Sequence, residues 1–330
     1  MIFVDNQNIT DPSLNLAIEE YILTKLNQDE TYLLFYINEP SIIIGKNQNT
    51  IEEINRDYVK DNQLHVVRRL SGGGAVYHDL GNLNFSFITK DDGNSFSNFK
   101  KFTEPVVEAL NQLGIPAELS GRNDLHADGK KISGNAQFST KGRMFSHGTL
   151  MLDSEIENVV SALNVSDEKI RSKGIKSIRS RVANINDFLD HPLSMEDFKQ
   201  KILLHIFDGD ENFERYTLTE DDWKQIHEIS NERYKNWDWN YGKSPTYDIK
   251  RSKKFTAGLV DFRLKVRKGT ITEATIFGDF FGTGDVTDVE NALTGRKHEA
   301  NDVRKALEEH NMKKYFGAID VEDLVQLISE

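Results

Sequence analysis

Apolar positions recur along this chain with two different periods, and the changes from one to the other mark out its elements. Leu14, Ala17, Ile18, Tyr21 and Ile22 fall at i, i+3, i+4, i+7 and i+8, the stripe of a helix buried along one side. Asp11-Pro12 opens that helix. Aspartate can cap free N–H groups, and proline suits a first helical position, where its missing N–H would be unpaired anyway. Tyr32–Ile37 and Ser41–Ile44 are apolar runs split by Asn38-Glu39-Pro40, which predicts two buried strands joined by a turn. A helix is expected over 51–59 and a strand over 64–69. Ser71-Gly72-Gly73-Gly74 breaks the pattern before another strand begins at Ala75–Tyr77. Leu83, Phe85 and Phe87 alternate with polar neighbours, as in a half-buried strand.

Residues 99–113 read as a helix that stops at Gly114, with Pro116 beyond it. From 117 to 152 the pattern is strands folded at the hairpin signals Asp128-Gly129 and Lys141-Gly142. Helical spacing then dominates over 155–163, 182–189, 194–206 and 220–234. The stretch Trp237-Asp238-Trp239-Asn240-Tyr241-Gly242-Lys243-Ser244-Pro245 is aromatic at first and turn-rich afterwards, which marks a domain boundary. Beyond it, strands over 254–266 and 270–277 flank Arg267-Lys268-Gly269, followed by helices near 286–293, 302–310 and 321–328. The expected fold class is α/β (α+β), with mixed sheets and packed helices in residues 1–244 and a small α+β domain in 245–330.

Composition narrows the function. The 53 acidic residues outweigh the 41 basic ones, leaving a net charge of −12 that disfavours broad nucleic-acid binding. With no cysteine in the chain, disulfides, thiolate metal sites and a cysteine nucleophile are all excluded. Met1-Ile2-Phe3-Val4-Asp5 lacks the basic start of a signal peptide, and no apolar run is long enough to span a bilayer, so the expected location is cytoplasmic, away from the membrane.

The densest chemical signal is Arg68-Arg69-Leu70-Ser71-Gly72-Gly73-Gly74-Ala75-Val76-Tyr77-His78-Asp79. Glycines let backbone N–H groups approach an anion closely, and arginine offers a planar fork for phosphate or carboxylate oxygens. The alternative is a plain glycine turn flanked by surface arginines. No P-loop is complete, since Gly242-Lys243-Ser244 has Trp237 where the upstream glycine belongs, and no G-x-G-x-x-G opens a helix after a strand. A second signal is Gly121-Arg122-Asn123-Asp124 followed by Lys131-Ile132-Ser133-Gly134-Asn135-Ala136. Pairing across Asp128-Gly129 would bring Asn123, Asp124 and Lys131 to one end of the sheet, where a lysine can hold a carboxylate and neutralise charge as it attacks phosphorus. An ordinary exposed hairpin lysine is the alternative. His147 and His78 each lack a second ligand at zinc spacing and read more readily as hydrogen-bonded structural residues than as catalysts. Lys169, Arg171, Lys173, Lys176, Arg179 and Arg181 form a basic cluster, suited to an acidic partner or to pyrophosphate, or simply to a solvated helix face.

Taken in order, these segments resemble the lipoate–protein ligases. The stretch from Arg68 to Asn82 is similar to their nucleotide and lipoate loop, and Gly121–Asp124 with 131–136 to their second motif. His147-Gly148-Thr149-Leu150 and Lys173-Gly174-Ile175, with Ser177, Arg179, Arg181 and Val182, are similar to further landmarks. The resemblance implies a catalytic domain related to biotin ligases and a small, mobile C-terminal domain. It implies ATP with Mg2+ and lipoate as ligands, and the lipoyl domains of 2-oxoacid dehydrogenase E2 subunits and the glycine cleavage H protein as acceptors. By position it implies Arg69, Gly74, Ala75, Val76, Tyr77 and Lys131 as contacts to ATP or lipoyl-AMP, with Lys131 catalytic. Ser71, Gly72, Gly73, His78, Asn82, Asn123, Asp124, Ser133, Gly134, Asn135, Ala136 and His147 would wall the pocket. Asp124 is a candidate metal ligand, and Phe35 and Val76 are candidates for an apolar tunnel around the acyl tail. Octanoyltransferases of the same superfamily commonly pass the acyl group through cysteine, which this chain lacks. Biotin ligases share the chemistry, but their glycine loop carries a more arginine-rich pattern than Arg68-Arg69-Leu70-Ser71. A non-catalytic lipoyl-domain-binding protein is a further alternative.

Overall fold

A computed structural model describes residues 1–163, 180–242 and 247–329. They form two compact units. The first comprises residues 1–43, 54–67 and 76–239, and the second comprises 44–53, 68–75 and the chain from Asn240 onward.

The strands before residue 220 are β1 (Ile2–Asp5), β2 (Tyr32–Ile37), β3 (Ser41–Ile44), β4 (His65–Arg68), β5 (Val76–His78), β6 (Asn82–Lys90), β7 (Ala117–Ser120), β8 (Asp124–Ala127), β9 (Lys130–Thr140), β10 (Arg143–Met151) and β11 (Arg215–Thr217). Eight of them make one mixed sheet, in the order β11-β1-β2-β6-β10-β9-β8-β7, and β4-β3-β5 make a small second sheet.

Alternation along β6 sorts the large sheet's two faces. Phe85 stands opposite Phe35 and Gly148, and joins a core with Phe102, Val106, Phe198 and Ile202 from helices Phe99–Gln112 and Met195–Ile206. Ser86 stands opposite Leu34 and His147, on the face covered by helix Pro12–Thr24. Because both faces are covered, β6 is not the half-buried strand its alternation predicts: Asn82, Asn84 and Ser86 are all buried.

Helix Pro12–Thr24 starts as expected, with the Asp11 carboxylate accepting from Ser13 N–H at 2.8 Å and Pro12 in the first turn. Asp11→Ala is expected to cost about 1 kcal/mol, measurable as a lower urea midpoint at unchanged slope. An unshifted midpoint would mean that water caps the helix as well as the carboxylate does.

Three further sequence expectations are corrected. The 51–59 helix is two short helices, Thr50–Glu53 and Arg56–Asp61. Ile54 leaves helical geometry between them to bridge Leu163, and the Asn55 side chain caps the second. The 182–189 helix is a bridge from Val182 to Lys131 followed by a single 3-10 turn, Ile185–Phe188. The 254–266 strand is two strands folded at Thr256-Ala257.

The sheet of the second unit therefore has three antiparallel strands, β12 (Ile249–Phe255), β13 (Gly258–Arg267) and β14 (Thr270–Gly278), in that order. The outer strand β12 carries Lys250, Arg251, Lys253 and Lys254. One sheet face buries Val260, Phe262, Leu264 and Ile276 against helices Thr287–Leu293, Ala300–Glu308, Met312–Phe316 and Val321–Ser329. The Met312–Phe316 helix was not anticipated from the sequence. Among the described residues, no helix is long and apolar enough to cross a membrane.

Candidate active site

The predicted residues fall into both units. Arg69, Ser71, Gly72, Gly73, Gly74 and Ala75 belong to the second, and the remainder belong to the first.

In the first unit, β8 and β9 pair across the Asp128-Gly129 turn, with a bulge between Leu125 and His126 that sets Lys131 opposite His126 and Asp124 opposite Gly134. The Lys131 ammonium lies 2.9 Å from Asp124 Oδ1, both side chains about one-third exposed. Gly134 leaves room for it, since a Cβ there would sit 3.1 Å from Lys131 Nζ. The lysine's backbone is pinned on its other side. Its N–H donates to Arg181 O at 2.7 Å, and its carbonyl accepts from Ala183 N–H at 3.0 Å. Asn123 and Asn135 lock the strands together. Asn123 Nδ2 donates to Asn135 O at 2.6 Å, and Asn135 Nδ2 donates to Asn123 O at 3.0 Å and to Ser133 Oγ at 3.2 Å. The result is a cation at a sheet end, oriented by a carboxylate and open on one side. Asp124 is committed to that ammonium, and no trio of carboxylates or histidines suited to a metal occurs among the described residues.

The other first-unit candidates are distributed differently. His78 Nδ1 pairs with Asn38 Nδ2 at 3.0 Å, and Asn82 donates to Asn84 Oδ1 at 3.2 Å. Val76 and Tyr77 are half-buried, and the Tyr77 hydroxyl accepts from Asn158 Nδ2 at 3.4 Å. Ala136 stands opposite His147 on β10. His147 Nδ1 lies 2.9 Å from Glu19 Oε1, and its ring centroid is 4.7 Å from that of Phe145. Glu19, only 2% exposed on helix Pro12–Thr24, is a polar residue that the sequence reading missed. The sequence offers no signal for it, because the polar i, i+4 pair Asn15 and Glu19 lies outside the apolar stripe and reads as an exposed face, whereas both residues are buried.

In the second unit, the glycine loop is held from within. Arg68 is 3% exposed, and its guanidinium donates to the carbonyls of Gly45, Lys46 and Gln48 and to Thr50 Oγ1. Burial pushes its pKa down to about 10. The two-arginine fork expected from the sequence is thus partly scaffolding. Arg69 likewise donates to Ser71 Oγ at 3.0 Å and to the carbonyls of Gly72 and Gly74 at 2.7 and 2.8 Å. The glycines are needed at different places. A Cβ on Gly45 would lie 1.9 Å from Gly73 O, and one on Gly72 2.5 Å from Phe280 O. Gly73 adopts φ +90°. Gly74 has nothing within 4 Å of its Cβ position, and with Ala75 it lines a cleft of about 430 Å3. Gly45→Ala should therefore cost about 1–3 kcal/mol in a urea melt, because backbone meets backbone and neither can rotate away. A melt superimposable on wild type would show that this contact yields.

The basic cluster at Lys169, Arg171, Lys173, Lys176 and Arg179 lies outside the described residues, as does the 243–246 boundary segment.

Comparison with known proteins brings both units under one heading. The lipoyl protein ligase A/B catalytic domain family matches residues 11–207, and the bacterial lipoate protein ligase C-terminus family matches 244–328. The chain is 63% identical over 330 residues to lipoate-protein ligase LplJ of Bacillus subtilis, covering 99% of this chain and 100% of that one. Its fold matches the crystal structure of P. falciparum LipL1 in complex with lipoate, with a TM-score of 0.81, 25% identity, and coverage of 100% and 99% of the two chains. It also matches a lipoate-protein ligase A bound with ATP, with a TM-score of 0.61, 32% identity, and coverage of 70% and 94%. The two family matches and the 63% identity to LplJ along 99% of this chain lead to one conclusion: the chain belongs to the lipoate–protein ligase family.

Proposed function

We propose that this enzyme joins lipoate to a protein lysine in two steps, with Lys131 and the Gly74–Tyr77 segment as its working parts. In the first step a lipoate carboxylate oxygen attacks the α-phosphorus of ATP. The bond to the β-phosphate bridge breaks, and lipoyl-AMP and pyrophosphate result. In the second step the amine of an acceptor lysine attacks the mixed-anhydride carbonyl. AMP leaves, the amine gives up a proton, and an amide remains. No enzyme nucleophile is required, which fits a chain without cysteine and sets it apart from transfer through a thioester. The chain supplies position and charge instead.

The observation that carries this proposal is the Lys131 ammonium, oriented by Asp124 and given space by Gly134. From there it would stabilise negative charge developing at the acyl carbonyl and the phosphate. Gly74 and Ala75 would face the nucleotide, and Val76 and Tyr77 the acyl-adenylate. The acyl tail would lie against apolar residues of the early strands, Phe35 and Val76 among them. The described residues offer no carboxylate cage for Mg2+, which would arrive on the nucleotide's phosphates. Residues 1–244 would carry catalysis, with 245–330 as an accessory domain. The acceptors would be lipoyl domains of E2 subunits and the glycine cleavage H protein, in the cytoplasm.

The test is the mass of an unmodified lipoyl domain incubated with enzyme, ATP and lipoate. One added lipoyl group is expected, and none when nucleotide is omitted. Modification without nucleotide would replace adenylation with direct acyl transfer.

A further inference from the structure

The cleft beside Gly74 and Ala75 is walled partly by the segment around the short helix Thr50–Glu53, Glu52 included, and partly by the strand residues Lys250, Arg263 and Phe277. Arg263 ties these two walls together. Its side chain is 2% exposed, and it grips Glu52 with both terminal nitrogens, at 2.7 Å to Oε1 and 2.6 Å to Oε2. The same guanidinium holds Asp261 at 2.8 and 2.9 Å and sits 4.6 Å from the centre of the Tyr247 ring. Lys250 supports the same carboxylates at 3.5 and 3.9 Å.

From Glu52 a line of short contacts leads to the glycine loop. Glu52 belongs to helix Thr50–Glu53, and Thr50 Oγ1 accepts from Arg68 at 2.7 Å. Arg68 clamps the carbonyls of Gly45, Lys46 and Gln48. Lys46 N–H donates to Ser71 O at 2.9 Å, and Gly45 packs directly against the Gly73 carbonyl. The sheet's backbone joins in, with Gly278 N–H donating to Asn47 O at 2.9 Å.

We propose that Arg263 is a positioning residue for the nucleotide end of the site, fixing the Gly72–Ala75 segment through its two-pronged ion pair with Glu52. Lysine could not take this place, because a single ammonium cannot hold two carboxylates in one plane. Burying a charged cluster in a cleft wall adds little net stability relative to apolar packing, but it defines a single geometry for the loop it holds. The Glu52 carboxyl is correspondingly held below its usual range, first by its hydrogen bonds to Arg263 and against the opposing effect of burial. This inference rests on the ligase proposal, and the experiment separates the two.

Pyrophosphate release is measured at varied ATP with saturating lipoate, and at varied lipoate with saturating ATP, for wild type, Glu52→Gln and Arg263→Met. Glu52→Gln is expected to raise KM for ATP about tenfold, with kcat and KM for lipoate within about twofold of wild type. Arg263→Met is expected to do the same, and the double variant to be no worse than the worse single one. An unchanged KM for ATP in Glu52→Gln, with wild type active, overturns the inference. So does a fall in kcat at constant KM, which marks a general loss of folded enzyme. Arg263→Met strips Asp261 of its main partner and risks misfolding. Glu52, with nearly half its side chain exposed, still decides the question. Absence of pyrophosphate release from wild type would instead sink the ligase proposal, and this inference with it.

Discussion

Lys131→Ala is expected to cut lipoyl-AMP formation about a thousandfold, roughly 4 kcal/mol of transition-state stabilisation. The size follows from placement. An ammonium already aimed by Asp124 needs little reorganisation when charge develops, and no other described lysine of the β8–β9 hairpin makes that contact. Loss of fold is not the cause to expect, because an ion pair with both partners about one-third exposed adds at most about 1 kcal/mol to stability. Pyrophosphate exchange in the presence of lipoate would report the first step, and acyl transfer from preformed lipoyl-AMP the second. Both should fall, since both pass through a charged carbonyl or phosphate centre. Full activity in either assay would remove Lys131 from that step.

His147→Leu should have the largest effect on stability, lowering it by about 3–5 kcal/mol. Glu19 is 2% exposed, and His147 Nδ1 is within 3.2 Å of both its carboxylate oxygens. Leucine fills much of the ring's volume, so the cost is not mainly a cavity. It is a carboxylate left inside the protein without the partner that offset its loss of water. Replacing both residues, Glu19→Met with His147→Leu, should recover much of the deficit by making the pocket uniformly apolar. Urea melts of the single and double variants provide the comparison. A single variant within about 1 kcal/mol of wild type would mean that the carboxylate finds another partner or reaches water.

The legible parts of the chain are those whose patterns report local physics. Asp11-Pro12 reads as a helix start because a cap and a fixed φ act within a few residues, and Asp128-Gly129 reads as a turn for the same reason. The errors share a different origin. Val182, Ile185 and Leu189 carry helical spacing, yet Val182 pairs with Lys131, some fifty residues earlier in the chain, and that long-range bond prevails over spacing. Asn84 and Ser86 imitate solvent-facing positions, but helix Pro12–Thr24 covers them. Thr256-Ala257 folds a hairpin without the usual turn residues, and its only cue is Gly258, at φ +136°.

Within the candidate site, the glycines and Lys131 stood out because the first give backbone access and the second sits beside a turn. The part played by Arg68 did not, because a buried guanidinium that organises carbonyls and a displayed one that binds phosphate have the same letter. Glu52 and Arg263 lie 211 positions apart, and neither belongs to a recognisable motif.

The row of cations along β12 has a bearing on how the protein survives at high concentration. An outermost strand leaves half of its amides and carbonyls unsatisfied by the sheet, a ready template for adding a strand from another molecule. Lys250, Lys253 and Lys254 are exposed there, each beside a carboxylate of its own chain, so a strand added from a second copy would have to bury these charged side chains. Desolvating that charged row opposes runaway strand addition, and without glycine or proline interrupting the ladder.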